Sequence, residues 1–117
     1  MIRSKPLNGD YILEEVKGFS RDEAVIASGK LDSGTVLGQI TASGEWVQLD
    51  PSASDGSQTA KGILMFRADA STEKKRRTIT SRLTIVRDNC LIWPESITPA
   101  KKKSAISALE TAHIIVR

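Results

Sequence analysis

Between Phe19 and Trp93, short runs of β-branched and aliphatic residues alternate with clusters of Gly, Asp, Asn, Ser and Pro. That alternation constrains the fold more than any other feature. An apolar run of roughly four to eight residues bounded by turn formers is too short for a stable helix and reads as a strand. Arg21 to Ser28 holds a buried strand at Ala24-Val25-Ile26-Ala27, with turns at Gly29 and at Asp32-Ser33-Gly34. Thr35 to Thr41 is a second strand. Glu45 to Leu49 is a third, and its alternation sets Trp46 and Gln48 on one face and Val47 and Leu49 on the other. Asp50 to Gln58 is a loop dense in turn formers. Ala60 to Arg67 is a fourth strand, and Ala68 to Glu73 a polar loop. Thr78 to Val86 reads as one long Thr-rich strand, Arg87-Asp88-Asn89 as a turn, and Cys90 to Trp93 as a short strand stopped by Pro94.

The pattern changes only near the C-terminus. Thr98 is placed to cap a helix and Pro99 to occupy its first position, where a missing N–H costs nothing. Ala100 to Leu109 supplies helix formers, with Ile106 and Leu109 on one side. His113 to Val116 closes the chain as a last strand. The expectation is a small, mainly β domain with one short C-terminal helix. Aromatic residues make up 4% of the 117 residues, so its core must be aliphatic. Gly34 and Gly38 fit tight turns and close backbone approach, not a phosphate loop.

Residues 1–18 read differently. The stretch to Asp10 is polar and broken by Pro6 and Gly9. Tyr11, Ile12, Leu13 and Val16 then form a short apolar patch. This predicts an extended, flexible N-terminal arm with one sticky segment, ahead of a single domain over 19–117. A simple frayed terminus is the alternative.

Little in the chain can do chemistry. Cys90 and His113 are the only residues of their kinds, so no internal disulfide and no His/Cys metal cage can form. Cys90 lies in the apolar Cys-Leu-Ile-Trp stretch, where a buried and inert thiol is expected. No Gly-x-Ser-x-Gly elbow occurs. An enzyme is therefore not expected, nor a cofactor or metal. No apolar run nears the roughly 20 residues of a membrane helix, and no signal peptide is visible, which suggests synthesis and use in a cytosol.

Two basic runs, Lys74-Lys75-Arg76-Arg77 and Lys101-Lys102-Lys103, admit a nucleic-acid-binding accessory role. Neither has an interleaved aromatic for base stacking. Net charge is only +3, from 17 basic and 14 acidic residues. Solvated surface is the simpler reading, and an acidic partner surface a third. Trp46 and Trp93, with Pro94, are either interface anchors or ordinary core.

Several segments together resemble the phage head decoration protein family, lambda-type. They are Ala27-Ser28-Gly29-Lys30-Leu31 through Gly34-Thr35-Val36-Leu37-Gly38-Gln39-Ile40, the loop and strand from Asp50 to Leu64, and Leu91-Ile92-Trp93-Pro94-Glu95 followed by Lys101-Lys102-Lys103. The resemblance covers roughly residues 20–117; the run at 74–77 is unusual for it. It implies a β-clip-like domain and a homotrimer seated on three-fold positions of the expanded shell. It also implies an arm that orders against the major capsid protein by adding a strand. The expected role is a cement on the outer surface of the virion, made in the host bacterial cytoplasm, that resists the pressure of packaged DNA. Tyr11, Ile12, Leu13 and Val16 would be its handle, and deletion of 1–18 is expected to leave a folded trimer that no longer docks.

Overall fold

A computed structural model describes residues 8–95 and 97–117. The mainly β reading with one C-terminal helix holds. Ten strands are present among the described residues: β1 (Ile12–Glu15), β2 (Arg21–Ile26), β3 (Gly29–Leu31), β4 (Val36–Gln39), β5 (Trp46–Gln48), β6 (Ala60–Leu64), β7 (Ala68–Ala70), β8 (Lys75–Thr80), β9 (Thr84–Val86) and β10 (Ile114–Val116). Among the described residues one α-helix is present, α1, spanning Pro99–Thr111.

The strands form three assemblies. β2, β5, β4, β6 and β8 close into a barrel in that order. β1, β9 and β10 form a three-stranded sheet with β9 in the middle, and β3 pairs with β7 in a two-stranded ribbon. β2 and β8 are joined antiparallel along their whole length, from Arg21↔Thr80 to Ile26↔Lys75.

Two clusters of buried side chains lie on opposite faces of the central strands. Ile26, Leu37, Leu64 and Ile79 gather with Leu31, Ala68 and Ala70 of the ribbon. Val36 and Ile63, the neighbours of Leu37 and Leu64, turn instead toward Val86, Ile114 and helix residues Ala105 and Leu109. Successive strand side chains point to opposite faces, so a strand buried on both reads as a continuous apolar run. Val36-Leu37 and Ile63-Leu64-Met65 are such runs.

The helix begins as expected: the Thr98 hydroxyl accepts from the Lys101 N–H at 3.2 Å, and Pro99 takes the first turn. It runs two residues beyond Leu109 and stops where His113 turns left-handed at φ 60°. Gly34 and Gly38 serve close approach. Gly34 has φ 97°, and a Cβ there would come within 2.5 Å of the Cys90 carbonyl oxygen. A Cβ on Gly38 would overlap the Ser57 backbone.

Five expectations need correction. Thr78–Val86 is not one strand: it breaks between β8 and β9, because the N–H groups of Ser81 and Arg82 both turn to the Ser20 carbonyl. Cys90–Trp93 is not a strand; Asp88–Cys90 is a 3-10 turn, and only Ile92 makes a single bridge, to Thr35. Cys90 is half-buried there, not sealed in a core. Ala68–Ala70, read as loop, pairs with Gly29–Leu31, whose glycine was read as a turn. Finally, Lys75, Arg76 and Arg77 belong to a barrel strand.

Candidate interaction surface

The N-terminal segment divides. Residues 1–7 of the expected arm lie outside the described residues. From Asn8 onward the chain packs on the domain: Gly9 N–H donates to the Ser33 hydroxyl at 3.0 Å, and β1 pairs with β9. Tyr11 corrects its assignment as a handle. Its side chain is 1% exposed within the Val36–Ile63–Leu109 cluster, and its hydroxyl shares a 2.6 Å hydrogen bond with Thr80. Burial pushes the phenol well above its usual range, with the Thr80 hydrogen bond pulling the other way. Ile12 is half-buried against the same cluster. Leu13 and Val16 do face solvent, at 47% and 45% exposure. The pairing of β1 with β9 shifts register between Ile12 and Glu14, a bulge that re-aims the residue in it, Leu13.

The region that follows was not anticipated as a site. Phe19 is 61% exposed and Leu83 41%. Ser20, fully buried between them, ties the β1–β2 turn to the β8–β9 turn. Its hydroxyl accepts from the Val16 N–H at 2.8 Å and donates to the Leu83 carbonyl at 2.9 Å, while its own carbonyl accepts from Ser81 and Arg82. Two ion pairs brace this corner. Arg21 forks onto both oxygens of Glu15, at 2.6 and 3.0 Å. Arg82 binds Asp22 and also donates to the Phe19 carbonyl. The Arg21 hydrogen bond holds the Glu15 carboxyl below its ordinary range. Asp22 is likewise lowered: desolvation opposes this, but hydrogen bonds from Arg82 and Ser81 outweigh it.

The two tryptophans are not brought together. Trp46, half-buried in β5, packs against the Ile26–Leu37–Ile79 cluster. Trp93 packs against the other one. Its indole N–H donates to Asp88 at 3.2 Å, and the Lys102 ammonium lies 5.3 Å from the ring centroid and 3.3 Å from Asp88. Pro94 lines a groove of about 510 Å³ with Leu31, Val47, Leu49, Pro51 and Lys101. Both rings are packed on a core cluster and remain partly accessible.

Three of the four charges of the basic run meet carboxylates within the chain. Lys74 meets Glu45 at 2.6 Å, Lys75 meets Glu73 at 2.7 Å and Arg76 lies 4.0 Å from Glu23. Arg77 donates to the carbonyls of Arg67 and Arg76. Among the described residues no group of three or more His, Cys, Asp or Glu side chains is placed to hold a metal. No described helix is long and apolar enough to cross a membrane.

The arrangement offers exposed apolar contacts on a scaffold braced by ion pairs. No curated protein matches the chain. The family model described as bacteriophage lambda head decoration protein D matches residues 1–114 of the 117, and the chain belongs to that family of structural capsid proteins.

Proposed function

We propose that the chain decorates and cements the expanded head of a tailed phage. In this reading it binds the major capsid protein from the outer surface of the shell as a homotrimer at three-fold positions, and holds neighbouring capsomers together against the pressure of packaged DNA. The β-clip-like arrangement implied by the family is part of the same reading, as is synthesis in the host bacterial cytoplasm. Catalysis has no part in the role.

The observation that carries the proposal is a family match over nearly the whole chain, arm included. The exposure of Leu13 and Val16, beside half-buried Ile12, supports contact with the shell just after residues 1–7. A contact that is weak by itself binds firmly when several per oligomer act as a multivalent clamp. The internal pairing of Lys74, Lys75 and Arg76 favours this reading over nucleic-acid binding, because phosphates would have to displace carboxylates already at hand. Co-sedimentation with unexpanded and expanded shells is the test. Saturable binding to expanded shells alone is the expected result; binding to neither shell removes the proposal.

A further inference from the structure

Val16, Phe19 and Leu83 leave apolar surface exposed at one corner of the molecule, where the β1–β2 and β8–β9 turns are knotted together by Ser20. Exposed apolar residues scattered singly mean little, but a group held on a rigid frame marks an interaction site. The backbone adds a second, independent observation. Leu83 has φ 51°, a left-handed conformation that glycine or asparagine adopts far more readily than leucine. Nothing in the hydrogen bonding of the turn calls for a leucine side chain at this 41% exposed position. Strain kept at an exposed position points to use of the side chain by a partner.

The chemistry of the corner says what kind of partner surface fits. The charges of Arg21, Glu15, Arg82 and Asp22 are already satisfied by one another. Lys17 stands at the rim of a recess of about 360 Å³, which it lines with Glu15, Val16, Gly18 and Arg21. A projecting Phe–Leu pair beside a recess suits an uncharged, apolar surface, not an acidic or phosphate-bearing one. We propose that Phe19 and Leu83, with Val16 beside them, form a preset contact that seats in an apolar depression on a shell subunit, separate from residues 1–7. This rests on the capsid reading above. The face continues the exposed Leu13 and Val16 of the same segment, and the shell is the partner that family membership supplies.

The experiment measures equilibrium binding of Phe19→Ser and Leu83→Gly proteins to expanded shells assembled without the decoration protein. Melting temperature and sedimentation of the free proteins are followed in parallel. Glycine accepts φ 51°, so Leu83→Gly removes the side chain without straining the fold. Both variants are expected to keep wild-type melting and sedimentation while shell affinity falls by about tenfold or more, the effect of losing a buried apolar anchor. Affinity within about twofold of wild type overturns the inference. So does a loss of self-association, which would assign the face to contacts between copies. If the wild-type protein itself fails to bind expanded shells, the capsid reading falls and takes this inference with it. Wild-type binding with unaffected variants sinks the inference alone.

Discussion

Tyr11 joins three parts of the molecule: it precedes β1, packs in the cluster of Val86, Leu109 and Ile114, and shares a hydrogen bond with Thr80 of the barrel. A side chain in that position is a structural post. Truncating it to alanine should cost about 3–5 kcal/mol, the usual penalty for removing a large buried ring. Tyr11→Phe keeps the ring but strands the Thr80 hydroxyl, and should cost about 1–2 kcal/mol. Urea denaturation of the two variants measures both; a Tyr11→Ala protein as stable as wild type would mean the ring is not held in the core. Ser20 makes a similar case with no bulk at all. Its buried hydroxyl serves one donor and one acceptor, so Ser20→Ala should lose about 1–3 kcal/mol by the same assay. Nothing in the local sequence marks Ser20 as special, because its partner Leu83 is distant in the chain and is brought to it by tertiary pairing.

At the scale of elements, the parts legible in the sequence are those whose causes are local. The Thr98 cap and Pro99 follow from capping chemistry, and barrel strands β2, β4, β5 and β6 from short apolar runs bounded by turn formers. The parts missed have non-local causes. β7 carries Ala68 and Ala70, both buried, with exposed Asp69 between, a period-two pattern too short and too poor in β-branched residues to outweigh its polar flanks. The break after Thr80 has no glycine, proline or asparagine; Ser81-Arg82-Leu83 turns because Ser20 takes its N–H groups. The exposed corner was invisible for the same reason, whereas Leu13 and Val16 were legible as an apolar patch in a polar stretch. The ion pairs bracing this corner carry a pH signature. Glu15 and Asp22 both have folded-state values below their ordinary ones. Their contribution is therefore complete above the ordinary carboxylate range and is lost as pH falls through the lower folded values. Melting temperature should decline on acidification below about pH 5, and Arg82→Ala should flatten that decline by freeing Asp22. A decline of equal steepness in the variant would show that the pair is not its source.

For the whole molecule, the question is where the domain ends and the arm begins. The residue composition draws the line at 18, since polar and apolar character change there. Packing draws it at or before Asn8: β1 covers one edge of β9, Tyr11 and Ile12 fill the core beside α1, and Gly9 is tied to Ser33. Removing residues 1–18 would therefore strip a strand from the three-stranded sheet, leave the backbone groups of β9 unpaired on that side, and open a cavity where Tyr11 sat. Such a protein should melt far below wild type or fail to fold, and its failure to bind shells would carry no information about docking. Removing residues 1–7 takes away none of the buried residues described in the fold. That protein should keep its circular dichroism and most of its thermal stability, and any loss of shell binding can be assigned to the deleted residues themselves. If the 1–18 deletion instead melts like wild type, β1 is dispensable and the composition boundary is the correct one. If the 1–7 deletion docks undiminished, the contact must come from residues 8–117, and the exposed corner at Phe19 and Leu83 becomes the surface to cut next.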